Sequence, residues 1–387
     1  MLKKITLATT LSVALASALS ANVVKSNDGL GDFLIAPLYK ASGNVCTEVR
    51  VTNTNETNSI LAKVAFREKI SSQEVDLPIF LSPGDVWSGT VCNEAGKVTL
   101  RSKDDSNHPM ALPILTTGKD LNAQSKASGH ENVDFSEGYV EIYPIAEYNE
   151  GSKNKVQKSV LVKRWDNLIA GNLTDKKLSR RGVDGYSLTG EVLFKTGYQG
   201  IVTSTQEMTA FKGAHEKQLT GSVISYGNDT SPEVLLGMKS KQQILKLLQN
   251  STVAFTYDNG GQDQYITLTY PFGYTAGQAR KYKVVVRDME ENKDVKQETV
   301  IFSPAPMKKS QAMYNEVATI SVSDIIAQTT NPAMFSKGQI QIQDITNITN
   351  VQLGTGKKPS VLATYVRQSN INTKDRIIDT KYAVTKK

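Results

Sequence analysis

Short apolar and polar stretches alternate along residues 31–120, and this pattern predicts consecutive β-strands. In the stretch TEVRVTN, two valines alternate with Glu48 and Arg50, which is the period of a strand that buries one face. Clusters of Gly, Asn, Ser and Pro separate the successive stretches, as expected for turns. We therefore expect an immunoglobulin-like β-sandwich over residues 21–120.

The stretch 78–92, PIFLSPGDVWSGTVC, places a Ser-Pro-Gly-Asp tetrapeptide between two apolar runs. Proline presets φ and glycine adopts conformations that are closed to other residues, so this tetrapeptide predicts a strand connection. Trp87 is expected to lie on the same face as Gly89 and Val91, where its ring covers the core near Cys92. A role as a platform on which a ligand stacks is the alternative.

The chain from 137 to 387 is also β-rich and predicts a second, larger domain. Residues 121–136 are polar and lack apolar periodicity, so we expect a linker or a long loop there. Apolar residues recur at helical spacing near 233–249, which predicts a helix that packs its apolar face on a sheet. The fold class that follows is a mainly β protein with one or a few helices.

Local patterns predict several elements of this second domain. EGYVEIYPIAEY at 137–148 alternates Tyr and Glu with apolar residues and predicts a strand. KSVLVKRWDNLIAGN at 158–172 predicts a strand that continues into a helix. Two pairs of β-rich runs, one about the DNGG sequence at 258–261 and one about the charged segment 288–295, predict two β-hairpins.

The first 20 residues have the pattern of a secretory signal peptide. MLKK supplies a positive start, and an apolar stretch rich in small residues follows. Ala18 and Ser20 occupy the small-residue positions of a cleavage site, which predicts cleavage before Ala21, with cleavage after Ala18 as the alternative. No later segment approaches 18 consecutive apolar residues, so we expect no transmembrane span in the mature chain. The predicted location is the cell surface or the extracellular space, with the periplasm as the alternative.

Two cysteines occur in the whole chain, Cys46 and Cys92. Disulfides persist in exported proteins, so we expect these residues to be paired. A metal or redox pair is the competing interpretation, but such sites need the close C-x-x-C spacing that is missing here.

The charge balance is basic, with 45 Lys and Arg against 38 Asp and Glu. The excess consists mainly of lysines that are spread along the chain, whereas nucleic-acid binders cluster arginine with aromatic residues. We expect no nucleic-acid partner and a solvated lysine surface. Attraction to anionic lipid or to a surface polysaccharide is the alternative.

The known catalytic motifs find no match in this chain. GTGKKPS at 354–360 resembles a phosphate-binding loop, but the glycine that the motif requires is replaced by Val351. The three histidines, His108, His130 and His215, form no close ligand pair, and no G-x-S-x-G sequence is present. We therefore predict that the protein is not an enzyme and that it carries no organic cofactor.

One acidic segment is a candidate calcium site, because calcium prefers hard carboxylate oxygens. It does not match the calcium loop D-x-D-x-D-G, and acidic hairpin tips also occur for solubility alone. The candidate ligands are Asp288, Glu290, Glu291 and Asp294.

Several blocks of the chain carry a family resemblance: APLYKASGNVCTEVRVTNTN, AKVAFREKISSQEVDLPIFLSPGDVW, SEGYVEIYPIAEY, and VVVRDMEENK followed by FSPAP. They resemble a family of exported Gram-negative proteins that share F-L-S-P-x-D-V-W and E-G-Y-V-E runs. The family has no established activity, and some members look like cell-surface proteins. The resemblance therefore implies an exported all-β protein and supplies no catalytic residues.

These observations predict a secreted structural protein of the cell surface, a surface-layer or extracellular-fibre component that assembles by self-association. The alternative is a binding module for polysaccharide or another surface polymer, in which Trp87, Trp165 or the tyrosines within 139–148 stack on the ligand. For an enzyme of unfamiliar type, Glu137 and Glu141 are the first acidic candidates.

Overall fold

The structure is a computed structural model. It describes residues 22–148, 158–169, 187–213, 238–248, 252–258, 263–273, 280–288, 297–302, 316–346, 361–371, 374–382 and 384–386. The predicted signal peptide, residues 1–20, lies outside these ranges.

Two six-stranded antiparallel sheets form a first β-sandwich. Sheet A runs in the order β1 (Val24–Lys25), β12 (Thr209–Lys212), β2 (Phe33–Lys40), β9 (Glu137–Tyr148), β4 (Ser59–Glu68) and β5 (Glu74–Leu81). Sheet B runs in the order β11 (Val202–Glu207), β10 (Leu188–Thr196), β3 (Val45–Asn53), β6 (Val86–Glu94), β7 (Lys97–Arg101) and β8 (Lys119–Asp120).

The facing sides of sheets A and B enclose one apolar core. The alternation of the strands produces it, because every second residue of β3 and β6 points inward. Trp87 is fully buried in this core together with Val91, as the sequence predicted. Its indole Nε1 donates a hydrogen bond of 2.9 Å to Asn107 Oδ1.

The first four strands after residue 136, β9 to β12, extend the first sandwich. β9 pairs with β2 and β4, and β10 pairs with β3, whereas the sequence pattern predicts that the second domain begins at residue 137. The segment expected to be a linker, 121–136, begins with helix α2 (Leu121–Ala127), and helix α1 (Leu112–Thr117) precedes it. Both helices are only two turns or less, which is too short for an apolar period to be recognised.

Two longer helices pack on the outer face of sheet A. The predicted helix near 233–249 is observed as α4 (Met238–Leu248); residues 233–237 and 249 lie outside the described ranges. The segment predicted to be a strand running into a helix is helical from its start, as α3 (Lys158–Ile169). Leu161 of α3 and Leu245 of α4 are buried in the apolar cluster that covers this face.

Two further antiparallel sheets form a second β-sandwich. Sheet C runs in the order β16 (Gln297–Phe302), β15 (Tyr282–Asp288), β18 (Lys337–Asp344), β13 (Thr252–Asp258) and β21 (Val384–Lys386). Sheet D runs in the order β17 (Val317–Ser321), β14 (Asp263–Thr269), β19 (Leu362–Ile371) and β20 (Lys374–Tyr382), and helix α5 (Val322–Ile326) follows β17.

One of the two predicted hairpins is confirmed and the other is wrong. β15 and β16 pair along their whole length about the charged segment. β13 and β14, which flank the DNGG sequence, instead belong to different sheets: β13 pairs with β18 and β14 pairs with β17 and β19. A turn sequence marks a change of direction, but it does not distinguish a hairpin from a connection between two facing sheets.

The two sandwiches share buried apolar contacts. Phe272, Val317 and Leu362 of the second sandwich join the cluster on the outer face of sheet A. Tyr265 and Val366 join the core between sheets A and B. The described chain is mainly β, as predicted, and its two sandwiches are in contact. Among the described helices, none has the length and apolarity that crossing a membrane requires.

Candidate functional site

A buried cluster of charged side chains lies on the outer face of sheet A. Arg67 from β4 faces Glu74, its direct partner on β5, and Glu141 on β9. The distance from Arg67 Nε to Glu141 Oε2 is 2.6 Å, and that from Nη2 to Glu74 Oε2 is 2.5 Å. The side chain of Arg67 is 5% exposed and that of Glu141 is 0% exposed, so water is excluded from the pair.

Neighbouring groups add hydrogen bonds to this cluster. Tyr143 donates its hydroxyl to Glu141 Oε2 at 2.6 Å, and Arg67 Nη1 donates to the carbonyl oxygen of Ser72 at 3.0 Å. Burial alone would lower the pKa of Arg67, but the carboxylates of Glu141 and Glu74 outweigh it and hold that pKa well above its usual value. The buried guanidinium of Arg67 is therefore held in its charged form.

The arrangement places Glu137 and Glu141, the acidic candidates from the sequence, in separate structural roles. Glu141 is enclosed by Arg67 and Tyr143. Glu137 accepts a hydrogen bond of 3.1 Å from Thr319 Oγ1, across the boundary between the two sandwiches. General acid or base chemistry needs a carboxyl group that reaches a substrate. Glu141 is 0% exposed and cannot reach a substrate, whereas Glu137 is half-buried.

The aromatic candidates for ligand stacking are mostly inside the protein. Trp87, Tyr139 and Tyr143 are each 0% exposed, and Trp165 is partly buried against the cluster on sheet A. The side chain of Tyr148 lies outside the described residues. A sugar ring cannot reach the three fully buried rings, so these positions do not support the predicted polysaccharide module.

Cys46 and Cys92 form the predicted disulfide, with an S–S distance of 2.04 Å. It joins the neighbouring strands β3 and β6 within sheet B, and both residues are almost fully buried. A cross-link that encloses a loop of this length stabilises the folded chain by about 4 kcal/mol in the chain-entropy model.

The calcium candidates fall mostly outside the described residues. Asp288 ends β15, whereas Glu290, Glu291 and Asp294 lie in the segment that the structure does not describe. Within the described ranges, no three His, Cys, Asp or Glu side chains come together as metal ligands would. The calcium site therefore stays a prediction.

A second buried ion pair was not predicted from the sequence. Arg280 Nη2 and Glu316 Oε1 lie 3.2 Å apart, and both side chains are 0% exposed. The guanidinium of Arg280 stacks 3.8 Å from the ring centroid of Tyr270, whose hydroxyl donates to Asp344 Oδ2 at 2.6 Å. The two residues are 36 positions apart in the chain. No local pattern in the sequence relates them, so the sequence did not indicate the pair.

An apolar projection is the most exposed apolar feature among the described residues of the first sandwich. Residues 109–114, PMALPI, form it, and we call it the Met110 projection. Met110 is 76% exposed and Ile114 is 56% exposed. The sequence does not indicate this exposure, because a short continuous apolar run such as PMALPIL reads as a buried segment and carries no period that separates an inward from an outward face.

The Met110 projection is held firmly at its base. Met110 N donates to His108 Nδ1 at 3.2 Å, and the next two backbone amides donate to the carbonyl oxygen of His108. The other ring nitrogen of His108 lies 3.1 Å from Asp166 Oδ1 on α3. Leu115 anchors the far end in the core. The exposed side chains are therefore presented on a rigid support.

No protein-family model, curated protein or solved structure matches this chain. The geometry of the described residues is therefore the basis for a functional proposal.

Proposed function

We propose that this protein is an exported structural component of the cell surface, of surface-layer or fibre type, in which copies of the chain associate with one another. The observation that carries the proposal is the Met110 projection, which presents Met110 and Ile114 to solvent on a rigid base. Large apolar side chains that remain exposed and ordered together are typical of protein contact surfaces.

The occupant that we propose for this surface is a second copy of the chain. Association of an exposed apolar segment with a different surface of the next copy is heterologous. Such a contact repeats into an open array when its rotation does not close into a ring. Such propagation is what a surface layer or a fibre requires.

The buried charges also favour a structural role. Arg67 is paired with Glu74 and Glu141 inside the first sandwich, and Arg280 is paired with Glu316 beside the second. Charged groups that are desolvated and paired with each other fix how strands and sheets pack. Together with the buried disulfide, these ion pairs favour a structural scaffold as the role of the protein.

Microscopy of native cells tests the proposal. Cells are fractionated, the released protein is located by immunoblot, and it is examined by negative-stain electron microscopy with and without calcium. We expect surface-located protein that forms lattices or filaments. Discrete monomers confined to the periplasm, at high concentration and in both conditions, would contradict the proposal.

A further inference from the structure

The turn between β4 and β5 is built around a buried carboxylate. Glu68 is 0% exposed, and its two oxygens accept hydrogen bonds from the backbone amides of Ile70 at 2.6 Å, Ser71 at 2.6 Å and Gln73 at 3.2 Å. The hydroxyl of Ser71 donates to the same carboxylate at 2.8 Å. Several amides that converge on one anion form a strongly bound, well-defined loop.

This turn is also where the second sandwich is attached. Glu316 N donates to the carbonyl oxygen of Ile70 at 3.2 Å, and Val317 N donates to that of Lys69 at 3.0 Å. Val317 is the first residue of β17, and Glu316 directly precedes it. The carboxylate of Glu68 therefore orients the amides of the turn inward, while the carbonyl groups of the same turn point outward to β17.

Among the described residues, the other hydrogen bonds across this boundary have side-chain donors, as Thr319 to Glu137 and Thr269 to the carbonyl oxygen of Pro37 do. Lys40 Nζ donates to the hydroxyl of Tyr265 and to Gln368 Oε1, each at 2.9 Å. Gln206 Nε2 lies 3.4 Å from Thr364 Oγ1. Side chains can change rotamer at little cost, whereas the two backbone hydrogen bonds at the Glu68 turn require the turn itself to keep its conformation.

We infer that the Glu68 turn is a latch: its carboxylate holds the second sandwich on the first, and β17 can detach while the first sandwich stays folded. This inference goes beyond the proposed function and does not depend on it. The core between sheets A and B and its disulfide include no residue of β17. Tyr265 and Val366 of the second sandwich reach that core, whereas Val317 of β17 packs on the outer face of sheet A. A strand at the edge of a sheet opens at a lower free energy than the core does when its few contacts are weakened.

The test is hydrogen exchange with peptide-level mass spectrometry on the full mature chain and on Glu68→Gln. The substitution keeps the shape of the side chain, removes its charge and turns a donor toward the amides of the turn. Because charge-assisted hydrogen bonds are lost, we expect hydrogen exchange in β17 and β14 to be faster by about tenfold or more. Exchange in β6, in the first sandwich, should stay within about twofold.

A matched control is Glu191→Gln, the same chemical change at a carboxylate on β10 that is 42% exposed. It should leave exchange in β17 unchanged. If Glu68→Gln leaves β17 unchanged as well, or if it accelerates β6 as much as β17, the latch is refuted.

A second measurement keeps the inference testable if Glu68→Gln does not fold. Ser71→Ala removes one hydroxyl donor from the same carboxylate. It should accelerate hydrogen exchange in β17 more than in β6, as Glu68→Gln does, but by a smaller factor. In the unmodified protein, β17 should already exchange faster than β6. Equal exchange of the two strands in both proteins would overturn the latch.

Discussion

Arg67 and Glu141 are separated by 74 positions in the chain, yet their side chains form an ion pair of 2.6 Å from which water is excluded. Glu141→Gln removes one of the two carboxylates that face Arg67, while Glu74 Oε2 stays 2.5 Å from Arg67 Nη2 and compensates part of the loss. The substitution weakens charge-assisted hydrogen bonds in a buried place, so it should lower the free energy of unfolding by about 1–3 kcal/mol.

Chemical denaturation followed by far-UV circular dichroism measures this effect. The control is Glu191→Gln, whose carboxylate lies 3.5 Å from Arg50 Nη1 at the surface. An exposed pair of this kind contributes about 0–1 kcal/mol. If both variants lost the same small amount of stability, the buried cluster would not have the structural role that we assign to it.

A second prediction concerns the space beside Trp87. A Cβ atom added to Gly89 would lie 2.6 Å from Trp87 Cη2, and the indole is held by its hydrogen bond to Asn107. The ring cannot move away without breaking that bond, so Gly89→Ala should destabilise the protein by about 1–3 kcal/mol through overpacking.

The fluorescence of Trp87, recorded in a Trp165→Phe background, reports whether the ring is displaced. Gly84→Ala is the control: Gly84 has φ +71° and no atom within 4 Å of the added Cβ, so it is strained in its backbone only. We expect a changed emission spectrum for Gly89→Ala and an unchanged one for Gly84→Ala. Identical spectra for the two variants would contradict the packing argument.

The sequence predicted those features that depend on neighbouring positions. The alternation in β3 and β6 indicated a sandwich, and the spacing of Trp87, Gly89 and Val91 indicated the inward face of a strand. The disulfide followed from the number of cysteines, which is two, and from the predicted export of the chain. Each of these inferences needs only a local period or a simple count.

The features that the sequence did not indicate depend on pairings between distant residues. β9 alternates as a strand should, but nothing in its sequence says that it lies between β2 and β4 in the first sandwich. The partners of Arg67 and of Glu68 are set by that pairing and by the turn. From the sequence, Glu141 is an acidic candidate for chemistry, because a strand that is buried on both faces cannot be recognised from alternation alone.

The acid response of one surface pair gives a third prediction. Arg101 grips Glu94 with two hydrogen bonds, Nη2 to Oε2 at 2.6 Å and Nε to Oε1 at 2.8 Å, and these bonds hold the pKa of Glu94 below its usual value. A lowered pKa means that the folded state binds the proton less tightly than the unfolded state. The stabilisation is complete above the ordinary pKa of 4.5 and is lost as the pH falls through the folded value.

Glu94→Gln removes this titration. At pH 7 the native protein should be more stable than the variant by about 1 kcal/mol or less, because the pair is partly exposed. The difference should shrink as the pH falls below 4.5. Unfolding free energies measured between pH 7 and pH 3 test it, and a difference that grows on acidification would show that Arg101 does not stabilise the carboxylate.

The last prediction concerns the Met110 projection and its proposed contact with a second copy. Met110→Asp places a charge on a side chain that is 76% exposed, so folding should be unaffected within about 0.5 kcal/mol. Burying that charge in a contact between copies is costly, so self-association should weaken by about tenfold or more. Sedimentation velocity over a concentration series measures this self-association.

Met110→Leu is the matched control for this prediction. It keeps an apolar side chain of similar size and should assemble as the native protein does. Unchanged assembly of Met110→Asp would mean that copies meet elsewhere on the surface.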